Sequence, residues 1–140
     1  MTIKDLAQKA KDFGIWIHFF NRKLYAELAK HITAEENILL IIRGHELKST
    51  YKYPLIISDR AIYSAKFGLY GTVKHWVAPI SAITNIFVGK AIFTYSLVIS
   101  IRFEESKIDA IVMSRLSKET AEKTMEFIND LRRKNNSLVT

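Results

Sequence analysis

Along residues 92–103 every second position, Phe93, Tyr95, Leu97, Ile99, Ile101 and Phe103, is large and apolar, and Thr94, Ser96, Ser100 and Arg102 lie among the residues between them. A pleated strand sends successive side chains to opposite faces, so this alternation predicts a strand with one dry face and one wet face, as antiparallel sheets have. The same period begins at Asn37 and predicts seven strands, at 38–46, 53–58, 61–67, 73–79, 83–88, 92–103 and 107–114. Between them stand turn formers: Ser49-Thr50, Ser58-Asp59, the stretch 68–71 with a glycine at each end, and Gly89-Lys90. No long helical pattern interrupts the series. Parallel strands need such crossovers, so the strands are expected to form an antiparallel meander. Pro54 has no amide donor and is expected at a strand start or an edge.

On either side of the strands the period is helical. Ile3, Leu6, Ala7, Ala10, Phe13, Ile17, Phe20, Leu24, Leu28 and Ile32 recur at three- or four-residue steps, with Thr2 placed to cap the first turn. Gly14 costs about 1 kcal/mol in a helix interior, which predicts helix, break, helix. Around 13–20 the stripe widens. Phe13, Ile15, Trp16, Phe19 and Phe20 cannot share one narrow face, and this aromatic girdle needs a cover: the sheet, a second copy of the chain, or a membrane interface. At the other end Ser117 is a cap, Glu119 and Glu122 lie near the positive helix end, and Ala121, Met125, Ile128 and Leu131 form an apolar row with Phe127 alongside. That row predicts a C-terminal helix lying over the sheet, frayed from Asn135 onward.

Three strings carry a family likeness. Ala34-Glu35-Glu36-Asn37-Ile38 is an acidic lead-in to the first strand, 55–63 reads strand, Ser-Asp-Arg turn, strand, and Ala78-Pro79-Ile80-Ser81-Ala82-Ile83 is a turn into the fifth strand. In order and spacing they resemble the bacterial pleckstrin-homology-like (bPH) domains, over about residues 34–135. The resemblance implies an α+β fold, a seven-stranded antiparallel barrel capped by the C-terminal helix, as a domain at 34–140; residues 1–32 lie outside the resemblance, and their helical period makes 1–33 an N-terminal helical extension. Eukaryotic members usually carry a Trp in the final helix, where this chain has Met125 or Phe127. The paired basic signature of phosphoinositide binders is absent, because Pro54 to Ser58 offer no partner for Lys48 and Lys52.

Composition narrows the function classes. The chain has 140 residues, 49% of them hydrophobic and 25% charged, the make-up of one globular domain. No cysteine is present, which agrees with a cytoplasmic protein. The apolar runs fall far short of the roughly 20 residues that span a bilayer, and the N-terminus lacks a signal-peptide pattern, so the mature chain is expected to start near Met1. The net charge of +7 admits nucleic acid, anionic lipid or an acidic protein as partner. It is spread out, however, with 6 basic and 3 acidic residues over 1–34 and 10 and 7 over 35–116.

Catalytic signatures are missing. His18, His31, His45 and His75 are scattered with no His-x-x-x-His spacing, so no metal site is expected. His45 and Glu46 point to opposite faces of a strand. Glu35-Glu36 and Glu104-Glu105 read as solvated or capping residues. Neither a phosphate loop nor a nucleophile elbow is present. The expectation is a non-enzymatic chain without a cofactor. The resemblance gathers three inter-strand loops that hold Lys48, Tyr51, Lys52, Lys66 and Lys107, opposed by Glu104 and Glu105, and each basic residue adds only about 1 kcal/mol at an anionic membrane. The primary expectation is a scaffold for protein interaction or self-association, a homo-oligomer built through the 13–20 girdle. The alternative is a peripheral binder of anionic lipid or an acidic ligand, using those basic loops and Trp16 and Phe19. Nucleic acid ranks last, since no basic recognition helix is present.

Overall fold

The computed structural model describes residues 1–46 and 51–139, with side chains to 136. Among the described residues three α-helices, α1 (Ile3–Asp12), α2 (Arg22–Ala29) and α3 (Lys118–Val139), accompany seven strands: β1 (Ile38–His45), β2 (Lys52–Ser58), β3 (Ala61–Phe67), β4 (Val73–Pro79), β5 (Ile83–Lys90), β6 (Tyr95–Glu104) and β7 (Lys107–Leu116). They form one sheet in the order β4-β3-β2-β1-β7-β6-β5. The seven expected strands are all present. The sheet is two meanders rather than one, because β4 does not pair with β5: a short 3-10 turn at Ile80–Ala82 intervenes, and β1 instead meets β7 with His45 opposite Ser114.

The chain packs as two compact units, Met1–Arg43 with Tyr53–Val77, and Gly44–Lys52 with Ala78–Thr140. In the first, Thr2 Oγ1 caps α1 by accepting from the Asp5 amide at 3.1 Å. The helix stops where the sequence allows it to. Gly14 adopts φ +73°, its amide donates to the Lys11 carbonyl, and the Ile15 amide reaches back to Ala10 at 2.9 Å, a Schellman ending that drives Ile15 into the core. α2 then buries Leu24, Tyr25, Leu28 and Ala29 and packs against β3. The β3–β4 turn is closed at Tyr70 and Gly71, both at positive φ, as a two-residue hairpin turn requires.

In the second unit β6 runs antiparallel between β5 and β7, and Leu97, Ile99 and Ile101 are buried. The alternation seen in sequence fails at its ends: β6 begins only at Tyr95, and Phe93 and Phe103 are exposed. Gly44 lies so close to β7 that a Cβ would sit 2.9 Å from the Met113 side chain. Ser117 Oγ accepts from the Thr120 amide at 3.1 Å and starts α3, which covers β5, β6 and the 80–82 turn with Ala121, Thr124 and Ile128 buried. The helix is assigned past Asn135, to Val139.

Candidate functional site

The sequence-derived girdle separates into an inner and an outer set. Phe13, the C-cap of α1, is half-buried, and Ile15 is buried. Trp16, Phe19 and Phe20 stand out of the α1–α2 loop at 61%, 88% and 80% exposure. Their contacts are local: Phe19 and Phe20 meet edge to face at 5.8 Å, and the Lys11 ammonium lies 5.1 Å from the Trp16 ring. Phe19 and Phe20 also line an open groove of about 480 Å³ with Ala26, Phe67, Arg22 and Lys23. Lys23 Nζ donates to the Gly71 carbonyl at 2.9 Å, tying α2 to the β3–β4 turn, whose Leu69 and Tyr70 are exposed. The loop's position is set by the Schellman ending before it and by the His18 amide, which donates to Asn21 Oδ1 at 2.8 Å at the start of α2.

The basic loop residues are not gathered in this way. Lys48 lies outside the described residues. Tyr51 and Lys52 are exposed in the second unit, and Lys107 pairs there with Glu104 at 3.5 Å. Lys66 belongs to the first unit and lies within β3, not in a loop, with Nζ 5.7 Å from the ring of buried Trp76. Lys74 approaches the same ring at 4.9 Å. A small cationic neighbourhood that the sequence did not reveal surrounds His45, whose buried Nδ1 has no hydrogen-bond partner among the described residues. Burial, and then the charges of Arg115 and Lys52, push its imidazole below the ordinary histidine pKa.

One acidic residue departs from the sequence-based expectation. Glu36, expected to be solvated or capping, is only 8% exposed. It accepts hydrogen bonds from Tyr63 OH at 2.5 Å, Ser58 Oγ at 2.7 Å, and the Thr33 amide and hydroxyl at 3.3 Å. Burial alone would raise its pKa, but these donors outweigh burial and hold the carboxyl below the ordinary value. Burial and the bond to Glu36 push the Tyr63 phenol well above its usual range. Beside this cluster the Asn37 amide donates to Asp59 Oδ1 at 3.1 Å, and the Asp59 amide to the Asn37 carbonyl at 3.0 Å. The acidic lead-in and the Ser-Asp turn, two of the strings behind the family likeness, are therefore bonded to each other.

The histidines are not all scattered either. Glu27, near the end of α2, His31 just beyond it and His75 on β4 offer three ligand atoms within 4.8 Å of one another. His31 and His75 stack with ring centroids 4.8 Å apart. Lys30 donates to Glu27 Oε2 at 3.0 Å, and this bond is the main cause holding the Glu27 carboxyl below its ordinary pKa. Spacing along the chain could not have revealed this group, because His75 lies 44 residues beyond His31 and arrives only when β4 folds.

No protein-family model matches the sequence, and no curated protein matches it. Among solved structures, a DUF1696 family protein with a pleckstrin-homology domain from Shewanella loihica PV-4 is similar over 94% of each chain, at TM-score 0.51 and 15% identity. A pleckstrin homology domain from Shewanella amazonensis SB2B is similar over 74% of this chain and 82% of its own, at TM-score 0.48 and 19% identity. The first likeness, nearly end to end, is one of backbone and shows that this chain has the pleckstrin-homology-like fold expected from its sequence. Among the described residues, no helix is long and apolar enough to cross a membrane.

Proposed function

We propose that the chain is a non-catalytic binding module that docks on protein, foremost on further copies of itself, through the α1–α2 loop. The observation that carries this reading is the exposure of Trp16, Phe19 and Phe20 beside an apolar groove, while their neighbour Ile15 is buried. Three aromatic side chains in water forfeit roughly 1.5–3 kcal/mol each that burial would supply, and aromatic residues with a basic rim are the composition of interface hot spots. Apolar side chains are also exposed in the second unit, at Phe87, Ile92, Phe93, Phe103 and Ile108. Self-association covers more than one such patch in a single assembly. The anionic-membrane alternative is weaker, because Lys107 is ion-paired, Lys66 lies over Trp76, and Lys23 is bonded to a carbonyl.

The test is sedimentation of the chain at micromolar concentration, beside the double variant Phe19→Ser/Phe20→Ser. An assembly larger than a monomer, reduced to monomer by the double change at an unaltered melting temperature, is the expected outcome. A wild-type monomer that pellets with anionic vesicles and not with neutral ones would replace this reading with the membrane one.

A further inference from the structure

The geometry points to a transition-metal site, of the class that takes Zn²⁺, formed by Glu27, His31 and His75. It goes beyond the docking function and shares no residue with the exposed loop. Glu27 Oε1 lies 3.8 Å from His31 Nε2 and 3.8 Å from His75 Nδ1. Ligand atoms around a tetrahedral zinc with bonds near 2.0–2.1 Å stand about 3.3 Å apart, so these two separations must close by roughly half an ångström, and the two imidazole nitrogens, within 4.8 Å of each other, by up to about 1.5 Å. All three side chains are partly exposed.

Donor chemistry supports the assignment. Two imidazoles and one carboxylate suit zinc, and nickel or copper, better than calcium or magnesium, which prefer all-oxygen shells. The two carboxylate oxygens already have separate roles: Lys30 donates to Oε2, while Oε1 is the oxygen nearest both imidazoles. Lys30 orients the carboxylate by that bond and also opposes a cation by its charge, so the affinity belongs in the micromolar range. With three protein ligands, all partly exposed, a water would complete the shell. Because the ligands come from α2, the turn after it and β4, the ion would staple the helix end to the strand and raise the melting temperature by binding only the folded chain.

The experiment is a calorimetric titration of the untagged full-length chain with Zn²⁺, repeated with Mg²⁺, together with visible absorption after loading with Co²⁺. The expected result is one zinc per chain at micromolar affinity, a cobalt spectrum of low-symmetry type, no magnesium binding, and a higher melting temperature with zinc. His31→Ala and His75→Ala each abolish these effects, Glu27→Gln weakens zinc by about tenfold or more, equivalent to about 1.4 kcal/mol, and His18→Ala changes nothing. Melting curves of the metal-free variants that match the wild type establish that they fold. Absence of zinc binding in the wild type, or binding that survives both histidine changes, overturns the assignment.

Discussion

Glu36 and Glu27 belong to the same compact unit and have opposite surroundings. Glu36 is buried and receives four hydrogen bonds from Tyr63, Ser58 and Thr33. Glu27 is partly exposed, held by one lysine, with its other oxygen turned to two imidazoles. A carboxylate whose lone pairs are filled by donors of its own chain is committed to structure, and its worth lies in what it ties together. Glu36 ties the lead-in of β1 to the β2–β3 hairpin. A carboxylate that faces groups able to act as acceptors retains capacity for something from outside, which is why Glu27 and not Glu36 anchors the metal proposal.

Removing the buried carboxylate is the strongest way to break that contrast. Glu36→Ala leaves Tyr63 OH without its acceptor and Ser58 Oγ with the longer bond to the Ala61 carbonyl at 3.2 Å, and is expected to cost about 3 kcal/mol in urea unfolding. A loss under 1 kcal/mol would mean that water replaces the carboxylate freely. Tyr63→Phe deletes one donor and is expected to cost about 2 kcal/mol by the same measurement. It should also move the Glu36 pKa up toward the ordinary value.

The acid limb sharpens the same point. The folded pKa of Glu36 lies below that of the unfolded chain, about 4.3, so its stabilisation is complete above that value and is lost as the pH falls through and below it. Wild-type stability should therefore drop on acidification below about pH 4, and Glu36→Gln should flatten that drop. The alkaline limb has the reverse sign. Burial pushes the Tyr25 phenol up to about 12, so its contribution is present below about pH 10 and is lost as the pH rises from there to 12. Tyr25 OH has no hydrogen-bond partner among the described residues, and Tyr25→Phe should remove its share of the alkaline loss while raising stability by about 1 kcal/mol at neutral pH.

Glu27→Ala is the smallest change expected, within about 0.5 kcal/mol of wild type in metal-free urea unfolding, as befits a surface ion pair. A large cost there would erase the difference between the two glutamates.

The sheet could be read from the chain because period-two alternation is a local property, visible wherever one face of a strand is dry. The break at Gly14 was readable too, since a left-handed helix ending favours glycine. Side-chain roles were less accessible. Glu36 looked like any acidic residue before a strand, and only the return of Ser58 and Tyr63 across the hairpin made it a buried hub. Apolar periodicity marked 13–20 as needing cover but could not separate Ile15 from Trp16, Phe19 and Phe20, because helical phase is lost once the helix stops. Sequence alone thus determined strand number, helix ends and turn chemistry, each governed by neighbours a few residues apart. Tertiary structure decided the β1–β7 pairing, the burial of Glu36 and the meeting of His31 with His75, since each depends on residues distant in the chain whose proximity exists only after folding.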